Sequence, residues 1–503
     1  MLFWRAQNNM AQVFGYFLEL FETSRKTVYF IVFYVILIVI NFLGIPRLRF
    51  LKGLNYKKVF LLIVMTGLLL RVGWIFYSPH VPKYEWNAEH MLENDLINIH
   101  AIDATKGVWF CDENGNPMGR RPIGFPILLA VFYKLLGVKL CTAMLLQLLL
   151  YLWMAWIIFC ISKMIFASNG IALIAVFMYS IYPVSVTSIA LITDEHLFLP
   201  LFYLGILMLM KESKKQGYRF EWFWYGLVFG YAAMTRTHAI VMPLALFIVY
   251  LIKKVSFKKT IVTCVLTFFM MQLINLPWVI RNYNAWGVPV LYTATANFVY
   301  SQLNSSAKPE GGGHIPVEGE EGFTYDIENA SNVGVQHTIC TKKIAEWIAK
   351  HPYDMFKLGV SRLIVFMRSD RQGGDWPIWH QLYPGSYDKN REVPERTKEI
   401  FSEACFIFYY LVLYSSLCSL GLILWRKQKF SKDKKVNYVR LYTLLVPVML
   451  YCALHFFIYP DKKYRFPIEP AMIIIASFII YIFVYRLNFK NMFLRNKIGG
   501  DSC

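Results

Sequence analysis

Charge is scarce in this chain. Only 17% of its 503 residues are Asp, Glu, Lys or Arg, against about a quarter in soluble globular proteins. The deficit is filled by apolar residues, 57% of the total, in long runs. That excludes an ordinary water-facing surface and makes lipid the solvent for much of the molecule. Cysteine pairing motifs are missing too. The nine cysteines are scattered with no C-x-x-C pair, which excludes zinc-ribbon and thioredoxin-like motifs. His80, His90 and His100 lie ten apart, which is no ligand spacing on a helix, so no metal is assigned. A disulfide between Cys111 and Cys340 is conceivable, with free or buried thiols the simpler reading. The N-terminus lacks a short h-region with a small-residue cleavage site, so the first apolar run, 28–45, is expected to be retained.

What is present is a series of apolar stretches long enough, alone or with their flanks, to cross a bilayer. They cover 28–45, 59–76, 141–166, 171–190, 197–210, 222–234, 239–252, 261–279, 401–425, 441–458 and 468–485. Two further stretches, 123–136 and 355–367, are short, amphipathic and carry internal charge. The net charge of +20 would suit nucleic acid, but the cations gather in short clusters between apolar runs. The clusters are Arg47, Arg49, Lys52, Lys57 and Lys58; Lys211, Lys214, Lys215 and Arg219; Lys253, Lys254, Lys258 and Lys259; and Arg426, Lys427, Lys429, Lys432, Lys434 and Lys435. Such clusters mark cytoplasmic loops. All four share one side only if 123–136 and 355–367 do not cross, so both are read as helices lying in the outer interface. The expected fold is an all-α polytopic membrane protein of about eleven spans, N-terminus outside and C-terminus inside.

That topology leaves three polar segments outside: 78–121, the turn at Asp194 and Glu195, and 281–399. The first is rich in acids, namely Glu85, Glu89, Glu93, Asp95, Asp103, Asp112 and Glu113. Its residues 84–106 read as a helix entered near Pro82 and stopped at Gly107. Glu85, Glu89 and Glu93 share a face, while Glu93 and Asp95 point in different directions, so one of the two faces a given pocket. A solvated acidic face is the competing reading. Residues 112–116 read as an Asn-Gly turn rather than a calcium loop, and the Gly/Glu-rich 309–322 as a mobile loop. Facing these acids, the topology puts Arg120, Arg121, Arg236, Arg281, Lys462, Lys463 and Arg465 at outer span ends. Single arginines there are often snorkelling anchors. Several together, against the inside preference of positive charge, suit an anion such as a lipid phosphate. Trp109, Trp278, Tyr283, Trp286, Trp376 and Trp379 gather on the same side, as belt residues or as sugar-stacking platforms.

The motifs in order resemble the GT-C superfamily of membrane glycosyltransferases, in particular protein O-mannosyltransferases and lipid A aminoarabinose transferases. The chain reads Glu93-x3-Ile97-x3-Ala101-x5-Gly107, then Arg121-Pro-Ile-Gly-Phe-Pro126, similar to the family's "PPGYP". Thr193-Asp-Glu195-His-Leu-Phe198 resembles "SE-x-LF", and 226–236 resembles "G-x3-G … L-T-R". Pro277-Trp-Val-Ile-Arg-Asn282 is similar to "PWxxRN", and Lys463-Tyr-Arg-Phe-Pro467-Ile-Glu-Pro470 to "RYxxPxxP". Where the family commonly has Asp and Tyr, this chain has Glu93 and Ile97, which leaves Asp95 as an alternative counterpart.

The resemblance implies a GT-C transmembrane bundle and a polyprenyl-phosphate sugar as donor, with a protein, lipid or glycan hydroxyl as acceptor. It implies Glu93 or Asp95 as catalytic base and Arg236, Arg281, Arg465 and Arg121 on the donor phosphate. Asp194, Glu195, Tyr464 and Trp278 would contact substrate. No cofactor and no nucleic-acid partner are implied, weak divalent-metal dependence is left open, and membrane lipids are the other expected contact. The implied setting is a bacterial plasma membrane with the site facing the periplasm or exterior. The chain divides into an extra N-terminal helix and basic loop (1–57), the GT-C core (58–280), an extracytoplasmic region (281–400) and C-terminal helices (401–503). The competing reading is a transporter or lipid flippase, which would carry mid-span charge and broken helices; here mid-span charge is sparse. An inactive scaffold that has kept the fold is a third.

Overall fold

A computed structural model describes residues 55–78, 96–108, 110–111, 117, 122–211, 220–291, 298–309, 314–368, 395–432, 436–458, 460 and 462–485. The apolar run 28–45 lies outside them, as do Glu93, Asp95, Arg121, Trp109, Trp376 and Trp379. The described residues are almost wholly helical, and their one β feature is an isolated antiparallel bridge between Cys111 and Pro117. The helices are α1 (Tyr56–Tyr77), α2 (Leu96–Thr105), α3 (Gly124–Leu136), α4 (Leu140–Phe166), α5 (Asn169–Ile181), α6 (Pro183–Thr187), α7 (Glu195–Lys211), α8 (Glu221–Thr235) and α9 (Met242–Ile252). There follow α10 (Phe257–Trp286), α11 (Tyr325–Glu328), α12 (Val333–Lys350), α13 (Pro352–Met367), α14 (Glu395–Trp425), α15 (Lys427–Lys432), α16 (Tyr438–Leu454) and α17 (Glu469–Tyr485). The all-α expectation holds.

Local chemistry sets several boundaries. Asn55 caps α1 by accepting from the Lys57 amide at 2.9 Å, and Asn332 caps α12 by accepting from Gly334 and Val335 at 2.8 and 3.0 Å, each satisfying amides that a helix start leaves unpaired. Gly107, with φ +83°, stops α2 as the sequence predicts. Its left-handed backbone costs a glycine nothing. The motif glycines of α8 serve packing instead. A Cβ on Gly226 would lie 2.5 Å from Met270 Cβ, and one on Gly230 would lie 3.0 Å from Ile274 Cβ. Small residues here let α8 and α10 approach closely, as in membrane helix pairs generally.

Helix α4 runs through the core, with Ala143, Ala155, Ile157, Ile158, Ile161 and Ile165 fully buried. Around it pack α5, α7, α16 and α17. The outer faces are the reverse of a soluble protein's. On α1, Leu61, Leu62 and Leu69 are 59–67% exposed, and on α10 Val265 and Phe269 are 60% and 65% exposed. Apolar rows of this extent need lipid against them. Among the described residues, four helices, α1, α4, α10 and α14, are long and apolar enough to cross by themselves, or five spans if the bent pair α5–α6 counts as one. The other apolar helices among them are shorter, and the expected span 28–45 lies outside the described residues.

The run expected as one span at 171–190 is broken. A bend of 57° separates α5 from Pro183–Ala190, because Pro183 has no amide to continue the ladder. The carbonyls freed there are taken by side chains. Arg71 Nη1 donates to Ser180 O at 2.9 Å, Trp74 Nε1 to Thr187 O at 2.8 Å and Gln147 Nε2 to Ile189 O at 3.0 Å. Arg71 is fully buried, donates through Nη2 to Ser185 Oγ at 2.7 Å and stacks 3.6 Å over the Tyr151 ring. These contacts fix the turn that delivers Asp194 and Glu195.

The bundle has two chemically distinct ends. At one, Lys163 lies over Tyr56, Lys211 over Trp156, Arg440 donates to Met164 O, and Lys253 donates to Leu209 O. At the other lie Glu195 and Arg236. The 17 residues of α7 from Glu195 to Lys211 separate them by about 25 Å.

The region 298–368 forms a small folded unit. Tyr300, Ile327 and Cys340 make one apolar cluster, and Leu303, Trp347 and Leu358 another. Residues 314–322, expected to be a mobile loop, are held by side chains. Tyr300 Oη donates to Gly322 O at 2.6 Å, Glu320 pairs with His314 at 2.6 Å, and Glu321 accepts from Ser305 at 2.6 Å. The sequence suggested mobility because Gly and Glu are local signals, whereas the anchors lie elsewhere in the chain. Cys111 and Cys340 are not joined in a disulfide, and Cys340 is buried.

Candidate active site

The centre of the site is an ion pair. Arg236 Nη2 lies 2.5 Å from Glu195 Oε1, with side chains 11% and 5% exposed. Glu195 opens α7, where the helix N-terminus favours negative charge, and Arg236 caps the end of α8 in an extended conformation. Asp194 immediately precedes and adds a second negative charge to the field at Arg236. Tyr464 puts its ring 5.1 Å from the Arg236 guanidinium. The structure therefore brings together Asp194, Glu195, Arg236 and Tyr464.

Donors are left over. Arg236 Nη1 and both ring nitrogens of His238 are buried and make no hydrogen bond among the described residues. Buried polar groups are otherwise almost always satisfied, so each exception calls for an explanation. His238 stacks among aromatic rings, 5.2 Å from Tyr451 and 5.6 Å from both His455 and Tyr464. His455 in turn stacks 4.2 Å from Phe366. Neither histidine was singled out by the sequence reading. The signal available was a polar residue two positions beyond Arg236 in Arg236-Thr-His238, and one at the polar end of the α16 run.

Arg465, next to Tyr464 in the chain, faces a different group. Its Nη1 donates to Arg368 O at 2.6 Å and its guanidinium lies 4.6 Å from the Tyr409 ring. Glu469, one turn on, interacts with Arg465 and accepts from the Tyr182 hydroxyl. Tyr203 ties the same turn down by donating to Pro467 O at 2.8 Å and accepting from the Ala471 amide at 2.9 Å.

Arg281 and Trp278 form a third group. The Arg281 guanidinium lies 4.6 Å from the Trp278 ring and 5.2 Å from Trp286, and donates to Phe110 O at 2.6 Å. Phe110 meets Trp278 edge-on at 4.9 Å and His100 at 4.3 Å. Ile123 joins this cluster, with Ile127 and Met234 packed on it, and Gly124 lies so close to Thr235 that a Cβ would come within 2.4 Å of Oγ1. The segment after Arg121 is thus seated against the end of α8, at the residue that precedes Arg236. Glu93 and Asp95 lie outside the described residues, whereas α2, which starts at Leu96, is anchored to α3 by Tyr133 Oη donating to Asn98 Oδ1 at 2.5 Å. Ile97 and Ala101 of the first motif are buried in that contact layer.

These features define a class: a polytopic helical membrane protein with buried cations and carboxylates gathered at one end of its bundle. Comparison with known proteins narrows it. Residues 120–278 match the family model described as dolichyl-phosphate-mannose-protein mannosyltransferase. The resemblance to the GT-C membrane glycosyltransferases is borne out on that segment, which holds the Thr193–Phe198 and 226–236 motifs and, with them, Asp194, Glu195 and Arg236. A comparison with curated proteins finds no match. Among solved structures, the archaeal oligosaccharyltransferase AglB from Archaeoglobus fulgidus, in complex with an inhibitory peptide and a dolichol-phosphate, is 12% identical over 90% of this chain and 53% of its own, with a TM-score of 0.47. ArnT from Cupriavidus metallidurans, bound to undecaprenyl phosphate, is 13% identical over 83% of this chain and 77% of its own, with a TM-score of 0.36. The chain spans about half the length of the oligosaccharyltransferase it matches.

Proposed function

We propose that the protein transfers a sugar from a polyprenyl-phosphate carrier to an acceptor hydroxyl at the non-cytoplasmic face of a bacterial plasma membrane. The observation that carries this reading is the unused donor set: Arg236 Nη1 and the His238 ring, buried together within the segment 120–278 that matches the mannosyltransferase family model. A phosphate oxygen would satisfy those donors.

In the reaction the acceptor oxygen bonds to the anomeric carbon of the sugar, and the bond from that carbon to the carrier's phosphate oxygen breaks with its electron pair. Negative charge grows on the leaving phosphate, where fixed cations in a dry site stabilise it most. Arg236 is oriented for this by Glu195, with His238 beside it. Arg465, Arg281 and Arg121 are the further phosphate ligands of the proposal. The acceptor proton passes to a carboxylate, Glu93 or Asp95, acting as general base. Trp278 and Tyr464 offer ring faces to the sugar. The test is transfer of labelled sugar from a polyprenyl phosphate in membranes. Arg236→Ala should lower the rate by roughly a hundredfold or more, as expected for loss of a preorganised charge donor, and His238→Ala by less. Full activity after replacing both Glu93 and Asp95 with Ala removes the assignment of the base.

A further inference from the structure

A hollow that the ion pair does not line lies in the 298–368 unit. It has a volume of 380 Å³ between residues 304–309, Glu321 and the facing ends of α12 and α13, within the roughly 300–1,000 Å³ of small-ligand sites. Its wall is a connected polar chain. Ser305 Oγ donates to Glu321 Oε2 at 2.6 Å, His351 Nε2 meets Glu321 Oε1 at 2.8 Å, and His351 Nδ1 lies 3.5 Å from Asp354 Oδ2. Trp347 holds the base of the chain, donating from Nε1 to Ser305 Oγ at 3.1 Å while its ring stacks on His351 at 5.9 Å. Ser361 completes the wall from α13.

The chemistry of this wall selects a ligand class. The wall carries charge of both signs, with Lys357 beside two carboxylates whose side chains are 57% and 60% exposed. The carboxylates are strong acceptors for hydroxyl donors. A metal ion is disfavoured, because the described residues hold no group of three His, Cys, Asp or Glu side chains arranged to ligate one. An aromatic pair beside acceptor oxygens suits a ring with a C–H face and an edge of hydroxyls. We propose that this cavity binds a neutral saccharide and serves as a remote subsite for a glycan-bearing acceptor. The acceptor role rests on the transferase reading above; the saccharide site does not.

Its position fits that role. Asp354 lies in the first turn of α13, and the far end of the same helix delivers Arg368, whose carbonyl accepts from Arg465. The distance along the helix is about 20 Å. Arg362 locks the middle of α13 to both neighbours, donating to Gln302 O at 2.5 Å and Phe457 O at 3.0 Å. Binding here would orient an acceptor without touching its reacting hydroxyl, the kind of distant interaction that raises turnover as well as affinity.

The experiment is saturation-transfer NMR on the full-length protein in nanodiscs. The probes are methyl α-mannopyranoside, methyl β-glucopyranoside, N-acetylglucosamine and cellobiose. At least one should receive saturation, with affinity falling roughly tenfold in Asp354→Leu and in Glu321→Leu, as loss of a charge-assisted hydrogen bond implies. Hydrolysis of the lipid-linked donor by water should be unchanged in both variants and lost in Arg236→Ala. Silence from all four saccharides overturns the proposal, as does binding that neither variant weakens. Saccharide binding in a protein that never cleaves the donor supports the cavity and sinks the transferase reading, so the two failures are distinct.

Discussion

At the residue level, the Arg236–Glu195 pair tests whether these charges serve stability or chemistry. Removing one partner of a buried pair strands the other, at about 3–5 kcal/mol, whereas replacing both with apolar residues of similar size is often close to neutral. Glu195→Gln should therefore lower the thermal unfolding temperature sharply, and the double replacement Arg236→Met with Glu195→Met should recover most of the loss. Sugar transfer should remain absent in the double variant. A stable and fully active double variant would show the pair to be structural only. The geometry of Arg71 warns against reading every buried arginine as functional. It is more deeply buried than Arg236, yet its hydrogen bonds are spent on Gly67, Ser180 and Ser185, and its role is to complete a broken helix.

At the level of elements, the contact of α8 with α10 holds the Arg236 end of one helix against the Trp278–Arg281 end of the other. Gly226→Val would push a side chain to where Met270 Cβ sits 2.5 Å away, and overpacking of this kind costs about 1–3 kcal/mol. The variant should unfold at lower temperature and lose activity, while Gly73→Ala, where a Cβ would meet nothing within 4 Å, should do neither. The unit 298–368 offers a pH test. Hydrogen bonds from His314 hold the Glu320 carboxyl below its ordinary range, and those from Ser305 and then His351 do the same for Glu321. A depressed folded pKa means that the folded form binds fewer protons than the unfolded chain between the two values. The contribution is then fully present above the unfolded value, about 4.3, and is lost as pH falls through the folded one. Amide exchange in 314–322, corrected for its intrinsic pH dependence, should accelerate below roughly pH 4 and stay flat from neutrality down to that point.

At the level of the whole molecule, the separation of the two ends makes a prediction about sidedness. In a cysteine-free background, Lys258→Cys at the basic end and Asp354→Cys at the other unit are both exposed positions. A membrane-impermeant thiol reagent added to intact spheroplasts should label Asp354→Cys and spare Lys258→Cys until the membrane is opened. The reverse pattern would place the phosphate site on the cytoplasmic side and defeat the proposed topology.

Much of this architecture was legible along the chain. The bilayer as solvent follows from apolar run length, the order of the helices from those runs and their capping residues, and the GT-C resemblance from motifs that are contiguous in sequence. Gly107 ends its helix and Asp194–Glu195 opens one because such signals act over a few residues. Tertiary structure decided which polar groups meet. Glu195 and Arg236 lie 41 positions apart, Arg465 takes its carbonyl from Arg368, and Ser305 and Glu321 order a stretch whose composition alone suggested mobility. His238 gained its place only when α16 and the turn at Tyr464 packed around it. The physical reason is range: helix propensity, capping and hydrophobic run length are properties of neighbours in the chain, whereas the partner of a buried charge is chosen by how the helices pack.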